Sequence, residues 1–439
     1  MPLSEVASAA VPAARRVAVP TAKPASLSAE ALNIPRSGIR DVFDRVERVP
    51  DAISLTVGEP APRRAAYRGG RLRGRTGWPH RYTKCSAPPV PEYRKAVADY
   101  SARVKGLTYD PETEIQAVDG ATIGLFLALK AVVGTGDEVI IPSPFFTSYD
   151  AEVMLCGGRP VTVALRPEHG MRVNAADIEA AITPRTRAVI INSPGNPTGA
   201  VTSAAELARI AEVCKQHNIW AISDEVYHPF VFGETFGETL GGEAAVAPSI
   251  AAVPGMKDRT IVVESLSKTY AMTGWRIGYL LAPEAVIEQT GKIAELMHSS
   301  VNSLAQYAGV AALAGPQDHV AAMREEYRAK RQIVLDGLAG CPVLRLIEPQ
   351  GAFYAFVDVR LTGLDSGEFA DRLLDEEHVA VVPGEAFGEE GRGFVRLSYA
   401  GDAGELREGV ARLRAFAERV WNPITGHHTA TYHPMEVLA

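Results

Sequence analysis

Short runs rich in β-branched residues recur along the middle of the chain, and segments with helical periodicity separate most of them. The runs are EIQAV (114–118), EVIIP (138–142), RPVTVAL (159–165), AVIIN (188–192), IWAISD (219–224) and TIVVESL (260–266). Runs of this length and composition are typical of strands buried on both faces of a sheet. Their alternation with helices predicts an α/β fold built on a doubly wound, mostly parallel sheet.

The pattern changes after residue 281, where longer helical segments are followed by runs of antiparallel character. The helical segments cover 283–298, 303–314 and 317–339, and the later runs are VLRLIEP, GAFYAFVDV, VAVVPG and GFVRLSYA. A last helical segment, AGELREGVARLRAFAERV, precedes a polar tail. This part of the chain predicts a second, smaller α+β domain packed on the first.

Charge and cysteine content exclude some classes of protein. The 439 residues carry a formal net charge of -7, which is unfavourable for binding nucleic acid. The sequence has no run of about 18 uncharged apolar residues, the length that a membrane-spanning helix requires. Cys85, Cys156, Cys214 and Cys341 lie far apart, so we expect reduced thiols in a cytoplasmic protein.

The two ends of the chain differ from the rest in composition. Residues 1–33 are rich in alanine and proline, and they lack the basic region and continuous apolar core of a signal peptide, so we expect a flexible leader. Residues 422–439 form a polar tail. Its pair of adjacent histidines has no clustered carboxylates or cysteines beside it, so no metal site is predicted.

Three stretches that follow predicted strands hold polar residues that packing does not require. In VDGATIGLFLAL (118–129), a glycine at a strand-to-helix junction leaves backbone N–H groups free to bind a phosphate. The alternative is that an ordinary helix cap binds these N–H groups. In NSPGNPTGAV (192–201), two prolines and two glycines force an irregular turn that orients Asn196. In AISDEVYHPF (221–230), Asp224 follows an apolar run and must meet a cation, face solvent or cap the next helix. Ligands of doubly wound sheets bind at this edge.

A fourth stretch, SLSKTYAMTGWRIGYL (265–280), places a lysine between serines. An amine that condenses with an aldehyde needs a lowered pKa, which a nearby cation or desolvation provides. Ser265 and Ser267 are suited to hydrogen bonds with phosphate oxygens, and Arg276 to a bidentate phosphate contact. An aldehyde for Lys268, a phosphate for Arg276 and a pyridine nitrogen for Asp224 together match pyridoxal 5'-phosphate.

With these motifs the sequence resembles the fold type I pyridoxal-phosphate aminotransferases of the aspartate aminotransferase superfamily, classes I and II. The resemblance covers about residues 36–421 and rests on SPGNPTGAV, ISDEVY, SLSKTYAMTGWRIGY, GAFYAF and GFVRLSYA. It implies a large cofactor-binding domain over 61–299 with a seven-stranded sheet. It also implies a small domain built from both chain ends, over 34–60 and 300–421.

The resemblance assigns roles around the cofactor ring. Lys268 corresponds to the Schiff-base lysine that moves the proton between the substrate α-carbon and the cofactor. Asp224 corresponds to the carboxylate that keeps the pyridine nitrogen protonated, and Tyr227 and Asn196 to the pair that binds the ring hydroxyl. Phe146 corresponds to the aromatic residue stacked on the ring. The resemblance also implies an unusual, cis bond before Pro197.

Further roles concern the phosphate and the substrate. The family's phosphate-binding positions correspond to Gly120, Ala121, Thr122, Ser265, Ser267 and Arg276. Arg396 resembles the arginine that binds the substrate α-carboxylate, with Asn196 beside it, and Gly58 the small residue over which an N-terminal segment closes on substrate. Tyr82 matches a tyrosine that reaches the phosphate of the neighbouring subunit, which implies a homodimer with shared active sites.

Residues 61–90 depart from the family pattern. They contain seven arginines, no aspartate or glutamate, and a single leucine, with no helical period of apolar residues. Two interpretations stay open: a basic loop specific to this protein, or local nonsense from compensating reading-frame errors. The second is favoured because the family pattern resumes abruptly at Pro91. In either case the departure affects the assignment of Tyr82.

The sequence therefore predicts a cytoplasmic, homodimeric aminotransferase that moves an amino group between an L-amino acid and a 2-oxo acid by a ping-pong mechanism. The alternative is a lyase, decarboxylase or cyclising synthase on the same fold, because these enzymes share Lys268, Asp224 and Arg396. Two weaker alternatives are a cofactor-binding regulatory module, for which the leader is short, and an enzyme disabled by the 61–90 segment. Neither nucleic acid nor a membrane is expected as a partner.

Overall fold

A computed structural model of the protein describes residues 38–60, 90–232 and 246–421. The leader, most of the atypical segment with Tyr82, and the tail lie outside the described residues. The described α-helices are α1 (Gly38–Val46), α2 (Pro91–Lys105), α3 (Ala121–Val132), α4 (Tyr149–Leu155), α5 (Ala175–Ala180), α6 (Ala204–Gln216), α7 (Leu266–Thr269), α8 (Glu284–His298), α9 (Ser303–Ala314), α10 (Asp318–Leu338), α11 (Ser366–Glu377) and α12 (Ala403–Val420). Short 3₁₀ turns join several of them.

The strands of the described residues form three sheets. They are β1 (Ile53–Ser54), β2 (Ile115–Val118), β3 (Glu138–Ser143), β4 (Arg159–Ala164), β5 (Thr186–Asn192), β6 (Trp220–Asp224), β7 (Thr260–Ser265), β8 (Gly278–Leu281), β9 (Arg345–Ile347), β10 (Tyr354–Asp358), β11 (Val379–Ala380), β12 (Val382–Pro383) and β13 (Phe394–Ser398). The largest sheet has seven strands in the order β2-β8-β7-β6-β5-β3-β4. This is the mostly parallel sheet that the sequence predicts.

Parallel pairing follows from the helices that connect consecutive strands. β3 pairs with β4 and β5, and β6 with β5 and β7, all in parallel, so their carboxyl ends meet at one edge. β8 runs antiparallel to both β7 and β2. The sequence pattern did not separate GYLL as a strand, because its first three residues are also the end of the lysine motif. β4 lies at the sheet edge with exposed and half-buried residues alternating, so the expectation of burial on both faces was wrong for that run.

The later part of the chain forms a four-stranded antiparallel sheet in the order β12-β13-β10-β9, as its runs predict. α10, α11 and α12 contribute buried residues to a core that also includes Phe353, Val357 and Leu397. β1 pairs in parallel with β11, which joins residues near the N-terminal end of the described chain to this later part. The predicted boundaries of the two domains stay a prediction.

Local sequence signals fix several helix ends. Pro91 occupies the first turn of α2, and Gly106 ends it in the left-handed conformation. Asp365 and Asp402 accept hydrogen bonds from backbone N–H groups at the starts of α11 and α12. No helix among the described residues is long and apolar enough to cross a bilayer.

Gly278 on the antiparallel strand β8 lies very close to the backbone of β7. A Cβ atom at this position would lie 2.4 Å from the backbone oxygen of Glu264 on β7. We therefore expect Gly278→Ala to lower the free energy of unfolding by about 2 kcal/mol, because backbone rather than a flexible side chain must move. Chemical denaturation measures the change. Gly401→Ala is the control, since nothing lies within 4 Å of the place that its new methyl group would occupy; equal stability of the two variants would contradict the expectation.

Candidate active site

A cavity of about 470 Å³ lies at the carboxyl edge of the large sheet, between the ends of its strands and residues of α1 and the 56–59 segment. Its lining includes most of the residues singled out in the sequence: Gly58, Ala121, Thr122, Phe146, Asn196, Asp224, Tyr227, Ser265, Ser267, Lys268, Arg276 and Arg396. Gly120 lies close to the side chain of Arg276, which is part of this lining. Only Tyr82, which is outside the described residues, has no position relative to this group.

Lys268 lies on the short helix α7, just after β7. Its Nζ donates a hydrogen bond to the backbone oxygen of Gly58 at 2.6 Å. Burial lowers the pKa of Lys268 to about 8; the carboxylate of Glu59 opposes this shift, and Arg396 and Arg276 add to it. The amine is therefore neutral far more often than that of a solvated lysine, as nucleophilic attack on a carbonyl requires.

Asp224 ends β6 and is 4% exposed. Tyr149 on α4 donates a hydrogen bond to Asp224 Oδ2 at 2.6 Å, and the backbone N–H of Val226 donates one to Oδ1 at 3.3 Å. Burial raises the pKa of Asp224 to about 6, against the lowering effect of these two hydrogen bonds. Within the described residues, no cation lies at ion-pair distance from this carboxylate, and its side chain lines the cavity.

Another part of the cavity is a cationic cradle formed by the start of α3 and Arg276. Gly120, with φ of 85°, precedes α3, and no side chain caps the first turn of this helix. Arg276 donates to the backbone oxygens of Thr273 at 3.0 Å and Asp119 at 3.3 Å, and none of the described carboxylates pairs with it. A Cβ atom at position 120 would lie 2.5 Å from Arg276 Nη2. The carboxylate of Asp119 interacts with Arg276 only at longer range. A helix N-terminus beside a guanidinium with no ion-pair partner among the described residues is suited to an anion.

The two serines before and after Leu266 complete this cradle. Ser265 caps α7, because its Oγ accepts a hydrogen bond from the backbone N–H of Ser267 at 2.9 Å. Both serines line the cavity, so their hydroxyl groups reach the same space as Arg276. Ser267 is buried, and its hydroxyl adds a neutral donor to the cationic groups.

A second guanidinium lies deeper in the cavity. Arg396 on β13 is 2% exposed and donates to Asn196 Oδ1 at 3.0 Å and to the backbone oxygen of Thr56 at 2.6 Å. Its guanidinium carbon lies 4.6 Å from the ring centre of Tyr354. It pairs with no carboxylate among the described residues, and its Nε has no hydrogen-bond partner there. Such a buried cation requires an anionic ligand to become fully paired.

Asn196 is held in the irregular turn that its prolines and glycines predict. Its backbone N–H donates to Asn192 Oδ1 at 2.8 Å, and Asn192 Nδ2 in turn donates to the backbone oxygen of Asp224 at 3.1 Å. The peptide bond between Asn196 and Pro197 is cis, as the resemblance implied. Asn192 therefore ties the position of Asn196 to the end of the strand that carries Asp224.

Gly58 and two tyrosines close the remaining side. The hydroxyl groups of Tyr227 and Tyr354 lie 3.0 Å apart. A Cβ atom at position 58 would lie 1.8 Å from the hydroxyl oxygen of Tyr354. Only glycine therefore fits at position 58 while its carbonyl accepts the hydrogen bond from Lys268.

Sequence reasoning did not identify three residues that the structure places in this site: Tyr149, Asn192 and Tyr354. Tyr149 follows Phe146 in SPFFTSYD, and its ring packs edge-on against Phe146 with centres 5.7 Å apart. Tyr354 lies within GAFYAF, and Asn192 opens NSPGNPTGAV. Each belongs to a recognisable motif, but a tyrosine or asparagine in such a run does not by itself indicate which residue it contacts.

Comparison with known proteins identifies the family of this chain. The model of the aminotransferase class I and II family matches residues 64–413. The putative aminotransferase YugH of Bacillus subtilis is 38% identical over 90% of this chain and 98% of its own length. An aspartate aminotransferase of Pyrococcus horikoshii is 36% identical over 89% and 97%. A crystal structure of an aromatic aminotransferase from Pyrococcus horikoshii superposes with a TM-score of 0.77, at 38% identity over 86% of this chain and 99% of that one.

The chain belongs to the class I and II aminotransferase family. Both the fold and the enzyme class predicted from the sequence are confirmed. The relatives' names do not favour the alternative of a lyase, decarboxylase or cyclising synthase. The roles of individual site residues stay predictions.

The lowered pKa of Lys268 gives a pH-dependent expectation for the free protein. The neutral amine reacts with a small aldehyde, so reductive methylation of Lys268 by formaldehyde should increase with pH and reach half its maximal rate near pH 8. Mass spectrometry of peptides measures the labelling. The exposed Lys95 is the internal control; half-maximal labelling of both lysines at the same pH would contradict the expectation.

Proposed function

We propose that this aminotransferase binds pyridoxal 5'-phosphate in the cavity at the carboxyl edge of the sheet. The convergence of Lys268, Asp224 and Arg276 on one space carries the proposal. These three residues supply an amine of lowered pKa, a buried carboxylate without a cation and a guanidinium without a carboxylate among the described residues. Each corresponds to one group of the cofactor: the aldehyde, the pyridine nitrogen and the phosphate.

The residues fit the cofactor in charge as well as in position. The start of α3, Ser265, Ser267 and Arg276 would hold the phosphate, because all of them line the cavity and none of the described carboxylates forms an ion pair with Arg276. Asp224 would accept a hydrogen bond from the protonated ring nitrogen. This pairing would offset the free-energy cost of burying the carboxylate. Asn196 and Tyr227 would bind the ring hydroxyl and Phe146 would pack on the ring face.

The remaining residues act on the substrate. When bound, pyridoxal 5'-phosphate supplies an aldehyde and an electron-withdrawing ring that stabilises negative charge at the substrate α-carbon. Arg396, held by Asn196 and Thr56, binds the α-carboxylate of the amino acid. Lys268 Nζ then takes the α-proton, a role for which a pKa of about 8 is suited.

The substrates are an L-amino acid and a 2-oxo acid. The first 2-oxo acid leaves before the second enters, so the kinetics are ping-pong. Relatives named for aspartate and for aromatic amino acids are about equally similar to this chain, so similarity alone does not select the side chain. The cytoplasmic location stays a prediction.

A transamination assay on the purified protein tests this function. Incubation with pyridoxal 5'-phosphate, single L-amino acids and 2-oxoglutarate or pyruvate should release a new 2-oxo acid, which chromatography detects. Reduction of the loaded protein with borohydride should attach the cofactor to Lys268, as peptide mapping shows. Lys268→Ala should bind the cofactor without this covalent label and lose at least about 10³-fold in rate. Labelling of another residue, or release of no oxo acid from any amino acid, would overturn the proposal.

The proposal includes a homodimer. Apolar side chains are exposed on α8, on α9 and next to Arg276, among them Leu296 at 90% and Trp275 at 45%. Met297, Leu304 and Tyr307 belong to the same set. Exposed apolar residues concentrated on adjacent segments are typical of a surface that another chain covers. His298 at the end of α8 lies 3.5 Å from Asp119, whose backbone oxygen accepts a hydrogen bond from Arg276, so the surface of α8 would lie near the cradle for the phosphate.

A charge placed on this surface should separate the dimer. Leu296→Glu would bury a carboxylate at the subunit contact, so we expect the mass in solution to fall from two chains to one. Light scattering coupled to gel filtration measures it. Leu361→Glu, at a leucine 44% exposed after β10, is the matched control and should leave the mass unchanged. Retention of two chains by Leu296→Glu would count against this surface.

A further inference from the structure

A buried ion network lies next to the proposed cofactor site and is not part of it. Lys105, at the end of α2, places its ammonium between the carboxylates of Glu225 and Glu264, 2.5 Å from Glu264 Oε1. The three side chains are between 1% and 3% exposed. His228 Nδ1 lies 2.9 Å from Glu264 Oε1, and the hydroxyl of Tyr100 lies 2.9 Å from His228 Nε2.

Both carboxylates of the network are paired with the lysine and with neutral donors or a histidine. Glu225 Oε1 accepts hydrogen bonds from Ser223 at 2.7 Å and from Ser249 at 2.6 Å. Burial opposes the charge on Lys105, but the two carboxylates outweigh burial and raise the pKa of Lys105 above its ordinary value. Lys105 is therefore charged at neutral pH. Removing it would leave two uncompensated carboxylates in the interior.

The network residues are sequence neighbours of the proposed cofactor ligands. Glu225 follows Asp224, Glu264 precedes Ser265, and His228 follows Tyr227. At the ends of β6 and β7, successive side chains of extended backbone point to opposite sides, so Glu264 in the network and Ser265 in the cavity share one stretch of backbone. β6 and β7 are adjacent and parallel, and Lys105 joins the residues at their carboxyl ends.

We propose that Lys105 is a positioning residue for the active site: through Glu225 and Glu264 it holds the two strand ends that carry Asp224 and Ser265, and it neutralises the charge behind Asp224. This inference rests on the proposed function, because it concerns the residues that would hold the cofactor. Lys105 does not line the active-site cavity. It acts only through its two partners.

The variants described below change the electrostatic environment of Asp224, which several charged and titratable groups form. They are Tyr149 and Glu152 on α4, Glu225 and Tyr227 after β6, Glu264 on β7 and Lys268 on α7. Glu225 and Glu264 both raise the pKa of Asp224. Loss of the positive charge of Lys105 should therefore raise that pKa further, whereas loss of the negative charge of Glu264 should lower it.

Pyridoxamine phosphate is the probe, because it lacks the aldehyde and so binds without a bond to Lys268. Its dissociation constant is measured by quenching of tryptophan fluorescence between about pH 5 and 9. In the wild type, affinity should fall as Asp224 becomes protonated at low pH. Lys105→Met should move the midpoint of this fall upward by about 0.5 to 1 pH unit. Because this lowers the ionised fraction of Asp224, binding at pH 7 should weaken by up to about 2-fold. Glu264→Gln, which preserves shape, should move the midpoint downward.

Two further variants separate positioning from general stability. Lys105→Arg keeps the charge, so its midpoint should match that of the wild type. Arg185→Met removes an ion-pair partner of Glu138, whose side chain is 2% exposed. Glu138 begins β3, so it lies at the edge of the sheet opposite to the carboxyl ends of the parallel strands. It should lower the melting temperature without moving the midpoint.

The outcomes distinguish failure of the positioning role of Lys105 from failure of the proposed function. Unchanged midpoints in Lys105→Met and Glu264→Gln would overturn the role of Lys105 and leave it purely structural. If Lys105→Met does not fold, the downward shift in Glu264→Gln and its absence in Arg185→Met decide the question. A wild type that binds neither pyridoxamine phosphate nor pyridoxal 5'-phosphate would instead overturn the proposed function.

Discussion

Asp224 imposes the main physical constraint on this protein, because it is a carboxylate buried at the centre of the fold without a cation at ion-pair distance among the described residues. Such a group raises the free energy of the folded chain unless a ligand or a protonation event compensates it. One hydroxyl and one backbone N–H bind it, and its side chain faces the cavity. The pattern is that of a site arranged for a cationic partner. The rest of the cavity then supplies groups for an anion.

The large sheet makes this arrangement possible. Parallel strands bring their carboxyl ends to one edge, so residues at 192, 224 and 265 become neighbours although they are far apart in sequence. The same edge receives the start of α3. Residues from the second sheet contribute the aromatic and cationic groups on the other side, including Tyr354 and Arg396. The chemistry therefore depends on both sheets, and neither alone contains a complete site.

Much of this could be predicted from the sequence because the signals were local. Runs of β-branched residues identified six strands of the large sheet, and lysine, aspartate and arginine in unusual surroundings identified the ends of the cavity. The strand β8 was not separable, because its four residues overlap the end of a functional motif and are too few to show a periodicity of their own. Tyr149 was missed for a different reason. Its function depends on which carboxylate its hydroxyl reaches, and that is decided by the packing of α4 near the end of β6, not by its neighbours in the chain.

The hydrogen bond from Arg396 to the backbone oxygen of Thr56 joins positions 340 residues apart. This contact can therefore form only after residue 396 has left the ribosome. Until then a nascent chain could hold the strands around Asp224, but it would lack the arginine that we propose to bind the substrate carboxylate. Arg396 is also the last residue in chain order among the described residues that line the cavity, so the order of synthesis completes this lining after the large sheet.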